Sequence, residues 1–585
     1  MIGKPGKLAM LGALAMILAT AAAYAPSIGG SFLWDDDIFT YDSPVIRDGL
    51  SPAQYWSGKT TPDYYPVLST TFWIQWQFFE DNASGYRVVS LLEHILACLL
   101  LWRVFLVLRL GSLASWFGSM LFALHPVCVT SVAWIAEQKN TLSLVFCLGA
   151  MLAHLDYDDS GSRKSFAAAL VLFGLGLLCK ASIVVLPAGL VVLIVWRRGG
   201  VRRRDLVALL PMFAVAAAGA AVAIWFQSQH ATAAHGPPVR PEGLASRIAA
   251  SGWIIWFYLY KALAPVNLMM IYPRWSVAGG NPAAYLPLLA LVVPVVALAR
   301  KRSAWLVPLA WFLLAVLPVL GLIDMVYHRL SLVADHLMYV ALPAATAAVA
   351  VLVVQGIRGR RSRVVIVATL CAVLFVLTLQ RNAVLHDSRA LWADSVRRNP
   401  AAPTAHNNLG DALAVVDPGT AIGHFRRAIE LSPDYAKAHY NLAFSLAESG
   451  KLDEAIATFD KSVSLDPTDV SAQRDFGRAL LLRGQVAEGL AHLRIAASLD
   501  VNHTHVKYWL GIALSKAGQH RDAVGVLRDQ VSRLPQDALL RYELGSSLLA
   551  VGELDAAMDQ LRQARTLAVR SGNQQLADAI ETKLR

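Results

Sequence analysis

From Leu8 to about Gln380 the chain is a succession of apolar runs, each near the ~20 residues a helix needs to cross a bilayer, and beyond Arg381 no such run occurs. Inside hydrocarbon every backbone N–H and C=O must be satisfied within the protein, so a chain with this pattern is restricted to a bundle of membrane helices. Composition agrees: 56% of the 585 residues are hydrophobic and only 16% are charged, too apolar a balance for an ordinary soluble enzyme. The expected fold class is all-α. It comprises a polytopic membrane domain over 1–380, a connecting helix over 381–402, and a soluble part over 403–585.

Short loops rich in Arg and Lys remain on the cytoplasmic side of a membrane. One path puts all the basic clusters there: Lys4 and Lys7, Arg163 and Lys164, Arg197 to Arg204, Arg300 to Arg302, and Arg358 to Arg363. Its spans lie near 8–28, 86–108, 112–124, 141–156, 166–179, 182–196, 206–226, 283–299, 304–323, 338–356 and 364–380, which makes eleven crossings with the N-terminus inside and the C-terminal part outside. The aromatic-rich segment 248–263 is expected to lie at the interface, because counting it as a crossing would turn Arg300-Lys301-Arg302 outward. Ala23-Tyr24-Ala25 resembles a signal-peptidase site, but Pro26 beside it favours an uncleaved anchor. The formal charge of +11 is assigned to inner loops facing anionic membrane lipid and needs no nucleic acid. The five cysteines, all in or beside apolar runs, read as small core residues.

The outer side carries the polar features that this rule leaves over. The first outer loop, 29–84, bears Asp35, Asp36, Asp37, Asp42, Asp48, Asp63, Glu80 and Asp81 against Arg47 and Lys59. His125, Glu137 and Lys139 follow in HPVCVTSVAWIAEQKN (125–140), Lys180 in LCKASIVVLP, and Asp324, His328, Arg329, Asp335 and His336 in the last outer loop. Glu93 and His94 lie about two helical turns below the outer end of the second span, a depth at which ionisable groups face protein or a water-filled cavity. This inventory suits transfer of a sugar from a polyprenyl-phosphate carrier to a hydroxyl. A carboxylate accepts the hydroxyl proton, and cations or a metal ion stabilise the departing phosphate. Asp35 or Asp36 is the candidate base, and Lys139, Lys180 and Arg329 are candidate phosphate ligands. His94, His125, Glu137 and His336 are further candidates for substrate binding. The metal is unknown: the carboxylates are compatible with Mg or Mn, but no ligand spacing specifies either. No Gly-rich phosphate loop is present, so no nucleotide is implied.

Each member also has a plainer reading. The Asp triplet caps a helix, with Asp37 structural in either case; His125 before Pro126 closes a turn; Glu137 and Lys139 form an interfacial ion pair. Lys180 snorkels to the headgroups, and Glu93 and His94 bond neighbouring helices.

In the C-terminal part Gly450, Gly484, Gly518 and Gly552 stand 34 residues apart, as do Leu442, Phe476, Leu510 and Leu544, and Ala455, Gly489, Ala523 and Ala557. That is the period of tetratricopeptide (TPR) repeats, with Pro433, Pro467 and Pro535 ending second helices. Five repeats are expected over 403–435, 436–469, 470–503, 504–537 and 538–571, with a capping helix over 572–585. Stacked pairs of this kind form an α-solenoid whose concave groove binds extended protein segments, and Asn408 and Asn441 are the candidate groove residues.

WDDD after the first span, HP…SVAWIAEQKN, LCK…VLP and LVADHLMYVALP, in this order before the repeats, resemble the motifs of bacterial membrane glycosyltransferases with C-terminal TPR repeats. These are similar to the transmembrane and TPR repeat-containing protein O-mannosyltransferases of animals, within the GT-C fold class. The resemblance implies a bacterial inner-membrane enzyme with periplasmic repeats and an acidic catalytic pair, here Asp35 and Asp36. It also implies a polyprenyl-phosphate-linked sugar donor, inversion at the anomeric carbon, and a protein acceptor recruited by the repeats. Tyr65 stands where relatives often have Arg, and His336-Leu337 where many have Arg-Tyr. The competing hypothesis is a membrane-anchored scaffold for secretion or polysaccharide assembly; a lipid-linked polymerase or ligase would differ mainly in its acceptor.

Overall fold

The structure, a computed structural model, describes residues 6–47, 49–58, 63–233, 240–500 and 503–585; Lys4, Asp48 and Lys59, counted above, lie outside the described residues. All regular structure among the described residues is helical. The chain divides into two compact units, Met1–Ala405 and His406–Arg585.

In the first unit every predicted span falls on a helix, from Lys7–Ile28, Ala83–Val107 and Ser112–Ala123 through Leu342–Gly356 to Arg360–Val384. Six helices among the described residues are long and apolar enough to cross a membrane, or seven if Ser112–Ala123 and Pro126–Ala133, bent by 46°, make one span. The eleven crossings therefore rest on the charge pattern: Gln138–Ser160 is long enough but not apolar enough, and Arg163–Leu177 and the other shorter helices fall short in length. Large apolar side chains such as Leu8, Leu210, Val293 and Val365 remain exposed, as they do on a surface that faces lipid. The segment read as interfacial forms Leu244–Leu263, with Ile254, Ile255 and Tyr258 buried on one face and Trp253, Trp256 and Tyr260 exposed on the other. Four of the cysteines are buried and all five are free thiols.

The basic end is more neutral than its arginine count implies. Arg197 pairs with Asp159 at 2.9 Å, and Arg198 pairs with Asp158 and, at 3.0 Å, with Asp205. These two arginines tie three helices together.

At the other end the loops converge. Ser31 N–H donates to the carbonyl of His386, and a Cβ on Gly30 would lie 1.8 Å from that oxygen, so only glycine fits there. The connecting segment forms the helix Ser388–Arg398, capped by Asp387 and held by Arg381–Asp394 and by Asn399 Nδ2 donating to the carbonyl of Ile271.

From Pro403 onward the chain forms five helix pairs, from Pro403–Leu413 with Pro418–Leu431 to Ala538–Val551 with Leu554–Arg570, followed by Gln574–Leu584. Gly450, Gly484, Gly518 and Gly552 all have φ between 73° and 90°, the left-handed turn that ends the first helix of each of these repeats. Ala455, Ala523 and Ala557 are fully buried at the crossings between helices. Asn441 Nδ2 donates to Asn407 Oδ1 at 3.0 Å and Asn407 Nδ2 to Asn408 Oδ1 at 2.9 Å, a ladder joining the first two repeats.

Candidate active site

After the first helix the chain reaches Trp34 at φ +47°, a left-handed conformation that costs a bulky residue about 1–3 kcal/mol unless its surroundings impose it. Two indoles do so: Trp34 stacks on Trp134, with centroids 5.2 Å apart and planes 1° from parallel, and Trp392 meets it edge-on at 5.2 Å. The strained turn sends the next two carboxylates in different directions. Asp36 is fully buried; its Oδ2 accepts the N–H of Leu33 at 2.8 Å and its Oδ1 that of Ala136 at 2.7 Å. Asp35 stays partly accessible, and its Oδ1 accepts the indole N–H of Trp134 at 3.0 Å.

Beside Asp35 lies a charged cluster centred on Glu137. Lys139 Nζ is 2.8 Å from its Oε1 and Lys180 Nζ 3.3 Å from its Oε2. Asn140 completes the bridge, its amide donating to Glu137 Oε2 at 2.5 Å and its carbonyl accepting from Lys180 at 2.6 Å. His336 Nε2 stands 3.9 Å from Glu137 Oε1, and its ring packs between Trp134 and Tyr327.

Charges so deeply placed persist only when they are compensated. Burial would raise Glu137, but His336, Lys139 and Lys180 hold its carboxyl well below the usual range. Burial acts against the charge on Lys139 too, yet Glu137, Asp35 and Asp63 keep it above the ordinary lysine value. Lys180 is drawn down by burial and partly restored by Glu137. Burial pushes Asp35 up to about 6, opposed by Lys139 and reinforced by Glu137. Asp36 rises to about 8 for the same first reason, against the N–H groups that it accepts. The cluster thus holds two ammonium groups against one firmly ionised carboxylate, next to a second carboxylate that titrates near neutrality.

A cavity of about 310 Å³ is lined by Asp63, Tyr64 and Tyr65 at its polar end and by Leu177, Val222 and Phe226 along its apolar length, and Asp63 is among the carboxylates that favour the charge on Lys139. Below, Gln138 and Thr141 donate to Glu93 at 2.9 and 2.6 Å, and Gln75 donates to Gln138.

Of the predicted site residues, Asp35, Glu137, Lys139, Lys180 and His336 come together. His94 does not: it bonds the Tyr339 hydroxyl at 2.6 Å and the Ala123 carbonyl at 3.2 Å inside the helix packing. His125 is buried too, with Nε2 on the Ala262 carbonyl and Nδ1 accepting the Val127 N–H. Arg329 ends the turn Val326–Arg329, whose Tyr327 packs against His336. Among the described residues no group of three or more His, Cys, Asp or Glu side chains is placed to hold a metal ion. Trp134 and Asn140 escaped selection although both lie inside a quoted motif, because an indole and an amide carry no charge to draw attention.

These features define a polytopic membrane protein with a TPR solenoid and a charged site among its loops. Residues 62–225 match the family model described as dolichyl-phosphate-mannose-protein mannosyltransferase, and 412–474 and 508–568 match tetratricopeptide repeats. The chain is therefore similar to that mannosyltransferase family over part of its first unit, ahead of segments that match TPR repeats. The matched segment includes Glu137, Lys139 and Lys180; Asp35 and His336 lie outside it. The protein O-mannosyl-transferase F38B6.6 of Caenorhabditis elegans is 28% identical over 158 residues, 24% of this chain and 22% of that protein. The human protein O-mannosyl-transferase TMTC3 is 23% identical over 172 residues, 27% of this chain and 19% of that protein. The chain thus matches about a fifth of the length of these curated relatives. Among solved structures, YrrB, a TPR protein with an unusual peptide-binding site, matches at 19% identity over 33% of this chain and 97% of its own, with a TM-score of 0.29.

Proposed function

We propose that the first unit is a glycosyltransferase that moves a sugar, mannose by analogy with its relatives, from a polyprenyl phosphate to a hydroxyl of a protein acceptor. The observation that carries this reading is the placement of an accessible carboxylate, Asp35, beside a lysine pair anchored by Glu137. Asp35 takes the proton of the acceptor hydroxyl as its oxygen attacks the anomeric carbon, and the bond from that carbon to the phosphate oxygen breaks. The departing polyprenyl phosphate gains a negative charge, which Lys139 and Lys180 stabilise. The isoprenoid chain lies in the cavity that begins at Asp63 and Tyr65 and continues between apolar helices. Asp36 serves differently from the pair first expected: with both oxygens bonded to backbone N–H groups, it positions Asp35 instead of accepting a proton. The site faces the periplasm of a bacterial inner membrane, because the basic clusters occupy the opposite loops. The repeats bind the acceptor, with Asn408 and Asn441 in the ladder that lines their first two helix pairs.

The test compares wild-type protein and Asp35→Asn in detergent for release of polyprenyl phosphate from polyprenyl-phosphate mannose. A loss of about 100-fold or more is expected from removal of a general base. Equal rates would refute the transferase reading and leave the membrane-anchored scaffold.

A further inference from the structure

We propose that Trp392, on the connecting helix, is a positioning residue for Asp35 that acts through Trp34 and Trp134. This rests on the reading of Asp35 as the base. Trp392 is among the largest fully buried side chains, yet it comes from the helix Ser388–Arg398, far along the sequence from the residues it touches. Its ring meets Trp34 edge-on, Trp34 lies flat on Trp134, and the Trp134 N–H holds one oxygen of the Asp35 carboxylate. Trp134 also presents its ring to His336, so this stack orients both the carboxylate and the imidazole beside the Glu137 cluster.

The stack requires an external support. Trp34 precedes Asp35 in the chain and sits at positive φ, which a tryptophan leaves unless it is held on both sides. Trp134 supports one face, and Trp392 closes the edge. The connecting helix in turn is fixed against the same stretch of the first loop: His386 Nδ1 bonds the Pro26 carbonyl at 2.9 Å, Ser31 N–H donates to the His386 carbonyl at 3.1 Å, and Ser388 Oγ donates to the Phe32 carbonyl at 3.3 Å. Asp394 anchors the helix from behind through Arg381 of the preceding helix. The helix that leads into the first repeat is therefore part of the mounting of the base. Simple core packing would need neither the strained residue nor a polar terminus on the carboxylate.

The experiment uses the full chain in detergent, with polyprenyl-phosphate mannose as donor. Trp392→Leu is expected to lower kcat about 100-fold while KM for the donor stays within about threefold, the loss typical of a misplaced catalytic group. Trp392→Phe, which keeps an edge for Trp34, is expected to restore most of the rate. Trp134→Phe keeps the stack but deletes the N–H, and is expected to move the acidic inflection of the rate upward, since that hydrogen bond favours the ionised carboxylate. If Trp392→Leu equals the wild type while Asp35→Asn is inactive, the positioning role is refuted and the transferase reading survives. If Trp392→Leu does not fold, the Trp134→Phe profile decides: an unmoved inflection overturns the proposal. If Asp35→Asn is itself fully active, the failure belongs to the transferase reading.

Discussion

Asp36 Oδ1 accepts the backbone N–H of Ala136 at 2.7 Å, joining two loops that lie 100 residues apart in the chain. The other oxygen holds Leu33, so one carboxylate fastens both walls of the site.

Asparagine at this position has one accepting oxygen and leaves a buried N–H without a partner. Asp36→Asn is expected to cost about 1–3 kcal/mol, the desolvation penalty of one orphaned donor. Thermal unfolding in detergent measures it. An unchanged midpoint would show that the two N–H groups need no carboxylate.

Asp35 titrates from an ordinary 3.8 to about 6 in the folded protein. Acting as a base it must be ionised, so the rate is expected to rise as pH increases through about 6. Lys139 favours the ionised form, and Lys139→Gln should therefore move that inflection upward. The stability sign is opposite. A carboxyl whose folded value is raised contributes stability that is complete below its unfolded value and lost as pH rises through the folded one. Asp35→Asn is accordingly expected to be inactive yet to melt higher than the wild type at neutral pH, with the gap closing in acid. Melting curves across pH test this combination, which a merely structural carboxylate would not produce.

Glu137 shows the reverse linkage, because its folded value is depressed. Its contribution is present above the ordinary value of 4.5 and lost as pH falls. Glu137→Gln leaves the buried Lys139 and Lys180 without their counterion and is expected to cost about 3–5 kcal/mol. Removing one ammonium as well, in Glu137→Gln/Lys180→Met, should recover part of that loss. Additive losses in a double-mutant cycle would contradict the shared ion cluster.

In the solenoid, a Cβ on Gly489 would lie 2.8 Å from the Gly477 carbonyl, so the two helices of this repeat touch backbone to backbone. Gly489→Val is expected to cost about 1–3 kcal/mol of overpacking. Faster proteolysis within the repeats than in the wild type would report it.

The helical fold was legible because its signals are local: an apolar run of membrane-crossing length, or a 34-residue period, can be read without knowing any partner. The polar cluster was legible in part for another reason. Glu137, Lys139 and Lys180 are charged groups in apolar surroundings, and such groups are retained only where something compensates them. His94 and His125 meet the carbonyls of Ala123 and Ala262, partners that lie too far along the chain for the sequence to reveal.

What the sequence determined by itself is therefore the membrane bundle, the repeats behind it, and the residue types that gather at one end. Only the tertiary structure decided that the adjacent residues Asp35 and Asp36 have different hydrogen-bond partners, that Asn140 bridges Glu137 and Lys180, and that Trp392 reaches Trp34. Periodicity and hydropathy act over a few turns of one helix, whereas the direction of a carboxylate depends on a backbone turn and an indole supplied from about a hundred residues away.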